Sequence, residues 1–316
     1  MNVDHRKEIL FYYESVGANP NGDPGFEDQP RLMSDQTILV TDLRLKRTAR
    51  EYAKNHLDQT LFVDYNKAGV PVIAFDKAIE VLGVNGKKLP KDTIKQLLEK
   101  TWDSNLFGLF LPVPEKKRTK KEIAWYNLTG SVQFGLGRSV NKVELIHPTI
   151  SAHFVGKPSD AGVDYSTLGS FWAVEYALIK FEGGINPNNL GMFNENGETP
   201  PSFDDAEGKL FESIWDGTNN LHSRSKFMQR SVFYFEVTYK KKTYNDLPVL
   251  IDDSKMEGKQ TKLVDNAFDT DNLEKALIKR KDDIVKIRMR GFELLEDQVD
   301  GLCSNLKAGG LDAEIV

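Results

Sequence analysis

Four cations recur along one stretch of the chain: Arg44, Arg47, Arg50 and Lys54 stand at i, i+3, i+6 and i+10. At roughly 100° per residue this spacing gathers them on one helical face. Lys46 lies at its border, Leu43 intrudes, and Leu45, Ala49, Tyr52 and Ala53 share the opposite face. A stripe of this kind can grip a run of phosphates, because a guanidinium meets phosphate oxygens through two parallel donors. A solvated helix face has the same spacing. Just upstream runs Gly17-Ala-Asn19-Pro-Asn21-Gly-Asp23-Pro24. Asn and Gly there tolerate positive φ, and each Pro fixes its own φ, so the segment is a turn. Its backbone N–H groups and the amides of Asn19 and Asn21 suit a polyanion, although a tight connection uses the same residues. Asp23 invites a metal or general-base reading, but one Asp in a turn ordinarily accepts local hydrogen bonds.

Other clusters fail on particular residues. Gly130-Ser-Val-Gln133-Phe-Gly135-Leu-Gly137-Arg138-Ser139 has the glycine spacing of a P-loop, yet Leu136 stands where its lysine belongs. Phe134 is its one aromatic, short of the RNA-recognition consensus. A glycine-rich strand permits close approach by a ligand or another chain, and strand twist explains it equally. The histidines at 5, 56, 147, 153 and 222 are scattered with no HExxH spacing, which argues against zinc. Asp265, Asp269 and Asp271 lack the turn glycine of a calcium loop, so helix capping accounts for them better. Lys116 to Lys121 form a basic loop that either meets nucleic acid or is simply solvated. No nucleophile triad or paired carboxylates stand out. The expectation is therefore no enzyme, no metal and no cofactor.

The elements that position these residues follow from periodicity. Glu8 to Tyr13 reads as a buried strand, and Thr41 as the N-cap of the basic helix. Helical patterns cover Phe75 to Leu82 and Asp92 to Trp102, and strands cover Leu106 to Leu111, much of Tyr126 to Phe154, and Ser170 to Glu182. Helix Ala206 to Trp215, strand Val232 to Tyr239 and a charged helix over Leu273 to Leu295 complete the order. Strand, helix, strands, helix, strand is the split βαβ of an α+β, ferredoxin-like domain, the topology also used for RNA recognition. The 316 residues carry a formal net charge of −5, so any polyanion site is a local basic surface on an acidic body. A single Cys303, a polar start and no apolar run near the ~18 residues of a membrane span suggest a cytoplasmic protein with no membrane partner.

Four segments in order resemble the backbone subunit of type I Cascade surveillance complexes, a CRISPR-associated family. They are Asn19 to Pro24, Val40-Thr-Asp-Leu-Arg-Leu-Lys-Arg47, Gly130 to Ser139, and Trp215-Asp-Gly-Thr-Asn-Asn220 followed by Ser223-Arg-Ser225. The match is closest to type I-B, then type I-C, and runs from about residue 8 to 240. The resemblance implies a ferredoxin-like palm over 6–56, 104–148 and 182–250. It adds a helical fingers insert over 57–103, a β-hairpin thumb over 149–181, and a C-terminal helical segment over 273–307. It implies copies stacked head to tail along a CRISPR guide RNA of a prokaryotic cell, with target DNA read by pairing to the guide. Partners implied are further copies, a subunit at the five-prime handle, large and small subunits, and a recruited helicase-nuclease that does the cutting. The implied RNA contacts are Asn19, Asn21, Arg44, Lys46, Arg47, Arg50, Gln133, Arg138, Ser139, Asn219, Asn220, Arg224 and Ser225. Relatives often carry a basic pair after Ser166-Thr-Leu-Gly169; here Ser170-Phe171-Trp172 follows. The rival reading is a metal-dependent ribonuclease of related fold that cuts target RNA through Asp23.

Overall fold

The computed structural model describes residues 5–84, 89–90, 92–117, 124–152, 167–193, 201–223 and 225–316. The first strand, β1 (Arg6–Ala18), buries Ile9-Leu-Phe-Tyr-Tyr13 without a break. Alternation still operates inside that run. Ile9, Phe11 and Tyr13 enter one core, and Leu10 and Tyr12 enter the other. Side chains two apart share a face of a strand, so an unbroken apolar run marks a strand covered on both sides.

After β1 come α1 (Asp42–His56), β2 (Gly137–Ser139), β3 (Ala173–Ile185), α2 (Leu210–Asn219) and β4 (Gln229–Tyr239). In the sheet they stand in the order β4, β1, β3, β2, each antiparallel to its neighbour. Both edges of β1 are paired; Phe11 lies opposite Phe181 of β3 and Tyr234 of β4. Short strands at Ile38–Val40, Gln29–Leu32 and Gly22–Asp23 extend the sheet past β2. Helices α1 and α2 cover one face, where Leu45, Ala49 and Ala53 join Ile214, Trp215 and Phe11. Helices Ala74–Leu82, Thr93–Lys100 and Trp102–Phe107, inserted between α1 and β2, feed Phe75, Leu97 and Trp102 into that same core. The polar segment after 252 and the helices that follow it cover the opposite face with Met256, Phe268, Leu273, Leu277 and Leu302.

The chain departs from the sequence expectation in three places. The strand expected from Leu106 begins at Gly108, after the short helix ending at Phe107. Gly108 has φ +78°, and its Cα lies so close to the Leu128 carbonyl and Gly130 amide that no side chain fits. The single helix expected over 273–295 is divided. Helix Asp271–Lys279 gives way to strand β5 (Ile284–Gly291), which pairs with β4; helix Glu296–Ala308 and strand β6 (Ala313–Ile315) follow. Lys286, Arg288 and Arg290 alternate with the buried Ile287 and Met289, a period of two that the dense charge conceals. Residues 173–181, grouped with a hairpin lobe by resemblance, lie in β3, because Ala173, Val174 and Tyr176 to Ile179 are buried in the sheet. What is described of that hairpin is Thr149–Ala152 paired with Thr167–Ser170; residues 153–166 and 118–123 lie outside the described part.

Two glycines set close approaches. A Cβ on Gly137 would meet the Phe181 ring at 2.5 Å, so the glycine-rich strand here makes room for an aromatic of β3. A Cβ on Gly217 would stand 3.1 Å from Tyr52 Cβ and 3.3 Å from the Thr48 carbonyl, so Gly217 lets α2 lie against α1. No helix among the described residues is long and apolar enough to cross a membrane. Gly217→Val should force the two helices apart and lower unfolding stability by about 1–3 kcal/mol, read as a reduced denaturation midpoint in guanidinium; an unchanged midpoint would show that the helices part freely.

Candidate nucleic-acid interface

The turn after β1, the outer face of α1, the end of α2 and the loop into β4 meet around a groove of about 650 Å³. Backbone and amide bonds hold its walls. Asn19 N donates to the Ser225 carbonyl at 2.7 Å, which closes the end of β1 onto the loop before β4. Asn19 Nδ2 donates to the Asp28 carbonyl at 2.7 Å. Asn21 Oδ1 accepts from Thr41 N at 2.8 Å and from Thr41 Oγ1 at 2.9 Å, tying the turn to the start of α1. Thr41, expected to cap α1, occupies the N-cap position but spends its hydroxyl on Asn21 instead of a helix amide. Ser170, Phe171 and Trp172 enter from the foot of the hairpin, with Trp172 stacked on His147 at 4.2 Å.

The groove brings together Asn19, Asn21, Arg44, Arg47, Asn220 and Ser225 from segments up to two hundred residues apart. It adds Lys226, which the sequence reading passed over; its one signal was adjacency to Ser225. Arg44 Nε and Nη2 are buried with no hydrogen-bond partner. Burial lowers the Arg44 pKa from the usual guanidinium range and the charge of Arg47 adds to the effect, against opposing influences of Tyr13 and Glu51. Lys226 donates to the Asn19 carbonyl. Burial, followed by repulsion from Arg44 and Arg47, pushes its pKa down to about 7, with Asp28 opposing. Arg47 is exposed and paired with Glu51 at 2.8 Å. Arg44 and Lys226 thus share the cleft with no ion-pair partner among the described residues, and an incoming phosphate would relieve their mutual repulsion.

The remaining residues of the basic helix and glycine-rich strand are engaged elsewhere. Lys46 is buried, 2.9 Å from Asp42 and 3.4 Å from Gln133 Oε1, with its ammonium 5.7 Å from the Phe107 ring centre. Arg50 Nε donates to Asp103 at 2.9 Å; Asp103 is wholly buried and also accepts from the backbone N–H groups of Phe62 and Val63. Lys54 pairs with Asp64 at 2.7 Å. The stripe is therefore divided: its first turn faces the groove and its second half ties α1 to the 61–64 segment. Arg138 donates to Thr37 Oγ1 at 2.9 Å and pairs with Asp35. Ser139 Oγ is buried, accepting from Ile38 N and donating to the Asn141 carbonyl. Asn219 Oδ1 accepts from Ser231 N at 2.8 Å, joining α2 to β4, and Asn220 Nδ2 donates to the Asp216 carbonyl. Arg224 lies outside the described residues. Asp23 Oδ1 accepts from Gly25 N at 3.0 Å and Oδ2 lies 3.2 Å from Arg31, a turn-forming arrangement. Among the described residues no group of three or more His, Cys, Asp or Glu is placed to hold a metal.

Among known proteins and families similar to this chain are the following. The CRISPR-associated protein Cas7 family matches residues 5–274. The CRISPR-associated protein Cas7 of Haloferax volcanii is 26% identical over 262 residues, 78% of this chain and 74% of that protein. A solved chain of a CRISPR RNA-guided surveillance complex, pre-nicking, is similar in fold, with a TM-score of 0.54 and 13% identity, covering 91% of this chain and 92% of that one.

Two outcomes follow from this geometry. Asp103→Ala should destabilise the protein by about 3–5 kcal/mol, because it leaves Arg50 buried without its partner; thermal or chemical unfolding measures it. An anion in the groove favours charged Lys226, so binding takes up a proton wherever the free ammonium is partly neutral. Affinity for a phosphate-rich ligand should hold below pH 7 and fall as pH rises above it, by at most about tenfold per pH unit. Lys226→Arg, charged throughout, should flatten that decline between pH 7.5 and 9.5 in fluorescence anisotropy titrations.

Proposed function

The chain belongs to the CRISPR-associated protein Cas7 family, and on that footing we propose that it is a non-catalytic guide-RNA-binding subunit of a type I Cascade, closest to type I-B. Copies polymerise head to tail along the spacer, grip its phosphates without reading sequence, and leave bases free to pair with target DNA. The observation that carries this reading is the groove in which Arg44, Arg47 and Lys226 crowd together, Arg44 with two unpaired buried nitrogens. Phosphate contacts supply affinity and position, while sequence information stays with the guide.

The sheet order β4, β1, β3, β2 with two helices on one face supports a ferredoxin-like palm. The inserted helices between α1 and β2 support the fingers, and the paired segment at 149–152 and 167–170, beside the groove, supports a thumb rooted there. A net charge of −5 suits a body whose acidic outer surfaces meet basic ones on the next copy in a head-to-tail contact. The other Cascade subunits and a recruited helicase-nuclease complete the assembly in the prokaryotic cytoplasm. Target cleavage through Asp23 gains no support, since both carboxylate oxygens are occupied by Gly25 and Arg31 within the turn.

Arg47→Glu combined with Lys226→Glu should abolish co-purification of CRISPR RNA from cells carrying an array, and sequencing of the retained RNA decides it. Guide RNA retained at wild-type level in the double variant would place the phosphate grip elsewhere. In the wild type, log affinity for single-stranded RNA should fall linearly with log salt, and each cation removed should reduce that slope by about 0.7. Asp23→Ala should leave both guide retention and the integrity of a bound complementary RNA in Mg²⁺ unchanged.

A further inference from the structure

A groove built only for phosphate would be lined with donors. This one is not. Glu27, Asp28, Glu51 and Asn19 line it alongside the cations, and all four bring acceptor oxygens. Asn19 is 4% exposed, and its amide is half used: Nδ2 is bonded to the Asp28 carbonyl, while Oδ1 is buried with no partner. That bond fixes which end of the amide is the acceptor, because a flipped amide would bring two oxygens together. Arg44 presents the complementary deficit. Its Nε and Nη2 are the two-donor edge that meets a phosphate bidentately, and both are buried without a partner. Unpaired buried polar atoms are costly, and a native protein that keeps them does so where something else supplies the partner. The missing partners are one anion and one hydrogen-bond donor.

A ribonucleotide carries both, a phosphate and a 2′-hydroxyl; a deoxyribonucleotide carries only the first. We propose that the groove selects RNA over DNA at the sugar, with Asn19 Oδ1 accepting a hydrogen bond from a 2′-hydroxyl while Arg44 holds the adjoining phosphate. This rests on the RNA-binding reading above and assigns that site a specificity-determining residue. Lys226, a flexible side chain now held on the Asn19 carbonyl, is the neighbour that moves: drawn onto the phosphate, it frees the approach to Asn19. Asn19 cannot turn away, because its backbone N–H is bound to Ser225 and its Nδ2 to Asp28. The turn that carries Asp28 is itself tightly determined, with Glu27 and Asp28 both in the left-handed region at φ 49° and 59°.

The test compares three short single-stranded oligonucleotides of one sequence: all-ribo, all-deoxy, and 2′-fluoro. The 2′-fluoro sugar keeps an RNA-like pucker but cannot donate, which separates the hydroxyl from the shape of the chain. All-ribo should bind about tenfold more tightly than either of the others, the scale expected for one buried acceptor left unmet. In Asn19→Ala the ribo to 2′-fluoro ratio should fall to about one, whereas Arg47→Ala should weaken all three and keep the ratio. If Asn19→Ala does not fold, the wild type decides: the Asn19 side-chain amide resonances should shift on adding the all-ribo strand and stay in place with the 2′-fluoro strand. Equal binding of all three strands, or a ratio that survives Asn19→Ala, overturns the sugar assignment and leaves the RNA-binding reading intact. No salt-dependent binding of any strand overturns both.

Discussion

The pairing of β1 along both of its edges governs what the rest of the chain can do. With β3 on one side and β4 on the other, its backbone donors and acceptors are satisfied without water, so the strand can bury ring after ring on both faces. That forces a layer on each side of the sheet. Helices α1 and α2 close one face, and the chain from Leu247 onward closes the other. It also places the end of β1, and the turn at Asn19, beside the entry to β4, where the Asn19 amide and the Ser225 carbonyl meet. The groove is thus a consequence of strand register, and α1 cannot shift along the sheet without breaking it.

Onto that frame the chain distributes its charges unevenly. Arg50 and Lys54 are neutralised by Asp103 and Asp64, and Lys46 by Asp42. These pairs hold α1 to the inserted helices and to its own first turn. Arg44 and Lys226 are left without carboxylate partners, in partly buried positions where the low dielectric makes each feel the other. The protein body is acidic overall, and Arg44 stays unpaired because the other cations of the helix take Asp42, Glu51, Asp103 and Asp64 as partners. A groove arranged in this way gains most from a ligand that brings negative charge, and it loses that gain as salt screens it.

Aromatic and glycine positions in the matched motifs are explained by packing as much as by ligands. Gly137 yields to the Phe181 ring and Gly217 to α1. Trp215 is buried in the core, and Ser139 and Asn219 bind backbone groups of neighbouring strands. The motif around Trp215 therefore acts on the groove through the placement of α2, with Gly217 and Asn220 on the groove wall.

By itself the amino-acid sequence determined the class of fold, the central strand, the basic helix with its apolar face, and the turn ahead of it, because these rest on local periodicity and on turn chemistry that needs no distant partner. It pointed to Asn19, Asn21, Arg44, Arg47, Asn220 and Ser225, all of which line one groove. It misread the charged run at 284–291 as helix, since a strand whose alternate residues are Lys286, Arg288 and Arg290 shows little apolar contrast. Which cations are neutralised and which stay unpaired was decided only by the tertiary structure. Helical spacing treats Arg44 and Arg50 alike; Asp103 lies 53 positions from Arg50 along the chain, and Lys226 reaches the groove because β4 returns beside β1. Those contacts join segments that periodicity cannot relate, and burial, which sets the strength of every charge in the groove, exists only once the sheet has been covered on both faces.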